Sequence, residues 1–196
     1  MRWKRFRTRI TGREVSVGVC RTVKPMSDYR PPSAARVVVG VSGSLGSLTA
    51  LGQAAREARC RGAELWPVLT WEPPGGDLAA RRSPVAAGMV EEWERLASER
   101  LVEALREVFG GTDTGISGQA LVARGVPGPT LVRFADREND ILVVGAGRRS
   151  RLHRALSPSV SRYCLAHAPC PVLAVPPSPL QTALAGLPSR HLPRPS

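Results

Sequence analysis

Apolar residues along this chain follow two rhythms that alternate. RVVVGV (36–41) is an unbroken apolar run after its first residue, the pattern of a strand buried on both faces. From about Ser47 to Arg61 the spacing becomes helical: Leu48, Leu51, Ala55 and Ala58 share one face, and Gly62 is a helix stop. AELWPVLTW (63–71) reads as a second strand, in which Pro67 is awkward because it has no N–H to give the ladder. Residues 72–84 read as a loop. A long helix is expected at about 86–109, where Val90, Trp93, Ala97, Leu101, Ala104 and Val108 repeat at helical spacing. That stripe is core packing rather than a cofactor box. Glu91, Glu92, Glu94, Glu99, Glu103 and Glu107 mostly lie off it and are expected in solvent, with no general acid/base pair among them. QALVARG (119–125) is a third strand, and VPGPTLVRFADREN opens a third helix with prolines near its first turn. DILVVGAG (140–147) is a fourth strand. Ser157 and Pro158 form an N-cap and N1 pair for a helix to about His167, and CPVLAVP (170–176) is the last strand.

Strands that alternate with helices imply an α/β fold: an open five-stranded parallel sheet with helices on both faces. Ligands of such sheets bind beyond the carboxyl ends of the strands, where the strand order switches. Here those ends follow Val41, Thr70 and Val144. The organisation expected is a basic, disordered tail over 1–35, one domain over 36–176, and a Pro-rich disordered tail over 177–196. Residues 1–35 show weak periodicity and end in the breaker YRPPSAA. Met26 opens a short polar lead into the first strand, which makes it an alternative native start.

The 196 residues suffice for one domain with a full core plus tails. The longest apolar run falls short of the ~18 residues of a membrane span, and the basic N-terminus lacks the apolar stretch of a secretory signal. The four cysteines (Cys20, Cys60, Cys164, Cys170) form no CxxC pair and no Cys/His metal spacing, so they read as reduced cytosolic thiols. Net charge is +12, distributed as +7 over 1–35, −2 over 36–140 and +7 over 141–196. A near-neutral body with basic ends favours a local anion site or loose polyanion contact over a uniformly basic nucleic-acid binder.

Three stretches carry a family resemblance: VVVGVSGSLGSLTALGQAAREARCRGAEL with LTWEPP, VARGVPGPTLVRFADRENDILVVGAG, and above all SVSRYCLAHAPCPVLAV. Over about residues 36–176 the chain closely resembles the universal stress protein family, UspA type. The ATP-binding branch of that family has G-x2-G-x9-G-[ST] after the fourth strand and an Asp after the first. Its first glycine falls on Gly145 and its hydroxyl residue on Ser159, followed by Val160. Its second glycine falls on Arg148, its third on Pro158 and its Asp on Ser42. The resemblance thus implies a site for ATP, with Mg²⁺ if it binds, at Gly40, Val41, Ser42, Thr70, Gly145, Gly147, Arg148, Ser159 and Val160.

The losses weaken that site. A phosphate loop presents backbone N–H groups, and glycine allows the close approach it needs. Arg148 resists that approach, although Gly147 serves if the loop shifts register. Pro158 has no N–H. One hydrogen bond to a charged group is worth roughly 1.5–3 kcal/mol, about one to two decades of affinity. Against this, GRRSRLHR sets Arg148, Arg149, Arg151 and Arg154 beside the site, and arginine forks pair well with phosphate. An Arg-supported phosphate site is therefore the alternative to a solvated basic loop.

The sequence offers no nucleophile–base–orienter set, so the expected function is non-catalytic and regulatory, in a stress response. The resemblance further implies a cytoplasmic homodimer pairing through its last strand, Pro171–Val175, while the hydropathy and the absence of nucleic-acid motifs point to no membrane and no specific nucleic-acid partner. Two alternatives remain. SGSLGS (42–47) faintly resembles the SGGxDS loop of ATP pyrophosphatases, but its second glycine reads Ser44 and its Asp reads Gly46. Polyanion binding through the Arg-rich segments lacks any helix-turn-helix, RNA-binding or zinc signature.

Overall fold

The computed structural model describes residues 4–10, 13–20, 35–76, 82, 84–110, 116–146 and 159–178. Its strands are β1 (Lys4–Ile10), β2 (Arg13–Cys20), β3 (Arg36–Val41), β4 (Glu64–Trp71), β5 (Ala120–Arg124), β6 (Ile141–Gly145) and β7 (Val172–Val175). Its helices are α1 (Leu45–Arg61), α2 (Pro84–Phe109), α3 (Pro127–Phe134) and α4 (Val160–His167). The sheet order is β1-β2-β5-β4-β3-β6-β7. The expected five-stranded parallel sheet is β5-β4-β3-β6-β7, and its order reverses at β3, which pairs in parallel with β4 on one side and β6 on the other.

Alternate residues of each buried strand feed opposite faces. Val37, Val39, Val41, Leu65, Leu69, Val122 and Val143 pack with the apolar faces of α1 and α2. Val38, Trp66, Val68, Leu121, Leu142 and Val144 pack with Leu131 of α3 and Cys164 of α4. Both faces of β3 are thus dry, as its unbroken apolar run requires. Pro67 fits because of where its missing N–H falls. Leu65 bonds toward the β5 side, to Ser117 and Gln119, and Pro67 shares that side. There it sits just short of the regular β4–β5 pairing, which begins at Val68 and Leu121.

Three expectations change. Within the segment read as a tail, β1 and β2 form an antiparallel hairpin, and β2 adds in parallel to β5. The signal was a period of two, in REVSVGVC and in RFRTRI, overshadowed by the density of arginine. The rest of 1–34, including Met26, and residues 179–196 lie outside the described residues. Second, α4 starts at Val160 with Ser159 as N-cap, two residues after the expected Ser157 and Pro158, which also lie outside the described residues. Third, Glu94 is buried, not solvated. It stands three residues before Ala97 and seven before Leu101, so helical spacing puts it on the buried face.

At the amino ends of the strands a buried ion pair ties β3 to the start of β6. Arg36 Nε and Nη2 donate to Asp140 Oδ1 and Oδ2 at 3.0 and 2.5 Å, and Nη2 also reaches Asp136 at 2.7 Å. The guanidinium lies over the Trp66 ring, 4.7 Å from its centroid. Burial works against the Arg36 charge, but the Asp140 and Asp136 hydrogen bonds outweigh it and hold its pKa above the ordinary value.

Candidate nucleotide site at the carboxyl ends of the strands

The loop after β3 is organised by three serines. Ser44 is the N-cap of α1, with extended backbone (φ −78°, ψ 151°), and its hydroxyl accepts from the Ser47 N–H. Ser47 Oγ donates to the Ser44 carbonyl at 2.8 Å and accepts from the Ser42 N–H at 3.2 Å. The Ser42 and Ser44 hydroxyls lie 3.0 Å apart. The sequence SGSLGS is therefore a capping device, and α1 starts at Leu45, two residues before the expected Ser47. Ser42, where the family's acid would stand, is exposed and has its hydroxyl turned to Ser44.

The other expected contacts divide between packing and exposure. Gly40 is filled from the α3 side: a Cβ there would meet Leu131 Cδ1 at 2.8 Å. Val41 is a core residue at 4% exposure. Gly145 is the point where β6 meets the first turn of α1, and a Cβ would stand 2.9 Å from the Gly46 carbonyl oxygen. The first motif glycine is thus required here by a backbone crossing. The Gly145 carbonyl accepts from Ser161 Oγ at 2.8 Å, tying β6 to the first turn of α4. Ser159 is exposed and makes no side-chain cap bond to the helix that follows it. Gly147 and Arg148 lie outside the described residues, as do Arg149, Arg151 and Arg154.

Ser42 and Thr70 come together on a cleft of about 310 Å³. Leu69, Trp71, Glu72 and Pro74 line its strand side, and Trp93, Leu96, Ala97 and Arg100 of α2 form the facing wall. Gly145, Ser159 and Val160 are not among its lining residues. The volume lies at the lower end of the range for small-molecule pockets. Arg124, at the end of β5, stands over the Trp71 ring at 5.6 Å from its centroid. Sequence reasoning missed most of this wall. Trp93 lies on the core stripe of α2, yet it is half-buried and faces the cleft because α2 overhangs the strand ends there. Among the described residues no group of three or more His, Cys, Asp or Glu is placed to hold a metal.

The two buried thiols carry no sign of reactivity. Cys164 and Cys170 are buried and free. Burial pushes the Cys164 thiol up to about 11, and burial likewise raises Cys170. A thiolate nucleophile is therefore unavailable from either near neutral pH.

This fold and the placing of its strand ends agree with a family match: residues 34–176 fit the universal stress protein family. The chain belongs to that family. Universal stress protein MJ0531 of Methanocaldococcus jannaschii is 29% identical over 142 residues, which is 71% of this chain and 81% of that protein. UspA of Lactobacillus plantarum superposes with a TM-score of 0.56 at 20% identity, over 74% of this chain and 99% of its own. A universal stress protein solved in complex with cAMP superposes with a TM-score of 0.52 at 24% identity, over 75% of this chain and all of its own. These two structures share the fold. This universal stress protein differs from the ATP-binding pattern at Ser42, Arg148 and Pro158.

Proposed function

We propose that this universal stress protein is a non-catalytic, cytoplasmic regulator that binds a nucleotide, ATP with Mg²⁺ being one form, across the carboxyl ends of β3, β4 and β6. The observation that carries the reading is the cleft that Ser42 and Thr70 share with α2, beside the order switch at β3. The base would enter this cleft. The phosphates would point toward Gly145 and the N-terminus of α4, where Ser159 is exposed. The universal stress protein of the cAMP complex holds a nucleotide on this same fold. The self-capped serine loop offers no carboxylate to a ribose, and Pro158 offers no N–H, so the site is a weak one. The non-catalytic reading is supported by the described groups: burial raises the Cys164 and Cys170 thiols, and His167, the described histidine, bonds the Tyr163 carbonyl of its own helix at 2.9 Å. No described helix is long and apolar enough to cross a membrane.

Calorimetric titration of the full chain with ATP and Mg²⁺, then with AMP, tests this. The expected result is binding in the tens to hundreds of micromolar, weakened by raised salt, with no ADP or pyrophosphate formed. No heat from either nucleotide up to millimolar concentration overturns the nucleotide reading.

A further inference from the structure

The cleft sets one acid and one arginine between aromatic walls. Its walls bring an indole from the strand end (Trp71) and one from the helix (Trp93). Two indoles with apolar Leu69, Leu96 and Pro74 suit a flat heteroaromatic ring, which stacks on aromatic faces with little regard to its substituents. The polar groups supply the selectivity. Glu72 lines the strand side and Arg100 the helix side. Neither makes a hydrogen bond or ion pair with any described residue, nor with the other, although they line one cleft with opposite charge. Elsewhere on α2 the exposed charges do pair, as Arg95 does with both Glu92 and Glu99.

A carboxylate only accepts hydrogen bonds, and a guanidinium only donates them. Guanine presents N1–H and N2–H₂ side by side, two parallel donors that match the two oxygens of one carboxylate. It also presents O6 and N7, a pair of acceptors that matches an arginine fork. Adenine keeps N7 as an acceptor but reverses N1 and the 6-substituent and lacks the 2-amino group. Its N1 is an acceptor, which a carboxylate repels, and its N6–H₂ donor stands where O6 would meet arginine. One acid and one arginine in an indole-walled cleft therefore complement guanine and oppose adenine.

We infer that the base pocket of this chain prefers guanine to adenine, with Glu72 reading the N1–H and N2–H₂ edge and Arg100 reading O6 and N7. The inference rests on the nucleotide reading above and deepens it by naming the base. Ser42, at the end of β3, lies on the side of the cleft that leads to β6, so the ribose and phosphates leave in the direction of Gly145.

The test follows tryptophan fluorescence of the full chain titrated with GMP and, separately, AMP at one ionic strength. GMP is expected to quench and to bind about tenfold tighter than AMP, the discrimination typical of one good bidentate pair. Glu72→Gln, at an exposed position that the fold does not need, should reduce that ratio to within about twofold by weakening GMP and by relieving the repulsion of adenine N1 that holds AMP back. Arg100→Gln should weaken GMP more than AMP. Equal or tighter binding of AMP overturns the inference while leaving the nucleotide reading intact, and so does a GMP preference that survives Glu72→Gln. If neither nucleotide binds, guanosine and adenosine decide. Quenching by guanosine alone keeps the base preference and discards the phosphate end, and quenching by neither discards both.

Discussion

Arg36 carries its charge into the interior because Asp140, itself fully buried, meets it with both carboxylate oxygens. Asp140 Oδ2 also accepts from the Arg137 N–H at 3.2 Å, so the turn before β6 hangs on the same carboxylate. Removing one partner of a buried pair is far more costly than never having built it. Asp140→Asn is expected to destabilise the protein by about 3 kcal/mol or more, seen as a large fall in the thermal midpoint. A loss under about 1 kcal/mol would show that Asp136 alone satisfies the guanidinium. None of this was legible in the sequence. Arg36 looks like the polar lead into an apolar strand, and its partner stands 104 positions away. Periodicity reports which face a residue takes, not which distant charge it meets. The same limit hid Glu72 and Arg100, each an ordinary surface charge until the fold brings their elements together.

Two glycines separate packing by side chain from packing by backbone. At Gly40 an added methyl meets the tip of Leu131, which can turn to another rotamer. At Gly145 it meets the carbonyl of Gly46, fixed in the first turn of α1. Gly40→Ala is therefore expected to cost about 1 kcal/mol and Gly145→Ala about 2–3 kcal/mol, compared by chemical denaturation. The reverse order would refute the backbone crossing. Strands β3 to β7 were legible because each is a short apolar run bounded by breakers, and α2 because its stripe runs through about five turns. The start of α1 was misplaced because Ser44 and Ser47 are both good caps, and only the Ser47-to-Ser44 bonds choose between them. The β1–β2 hairpin was missed because charge counted for more than alternation. Of the expected site residues, Ser42 and Thr70 line one cleft at the strand ends. The α2 wall was not foreseen, since a helical stripe does not say where its end overhangs the sheet.

The whole sheet has two unlike borders. β7 has a neighbour on one side only, and Val172, Leu173 and Ala174 are half-buried. Pro171 and Val175 turn their carbonyls to β6, bonding Leu142 and Ala146, so Val172 and Ala174 aim their backbone groups at the open side. A homodimer through Pro171–Val175 would use those groups. Ala174→Pro removes one such N–H without touching the β6 ladder. Light scattering at micromolar concentration is expected to give a dimer for the native chain and a monomer for the variant. A variant that stays dimeric would place the contact elsewhere. The opposite border is β1, in which Lys4, Arg5, Arg7 and Arg9 make four of seven residues basic. A strand so charged repels a second copy of itself and is a poor template for further pairing. Of the two described borders of this sheet, β1 is therefore the poorer template for pairing. A homodimer through β7 would use up that edge and leave the charged β1 edge facing outward, so growth through these two edges would have a valence of one and would close after one step.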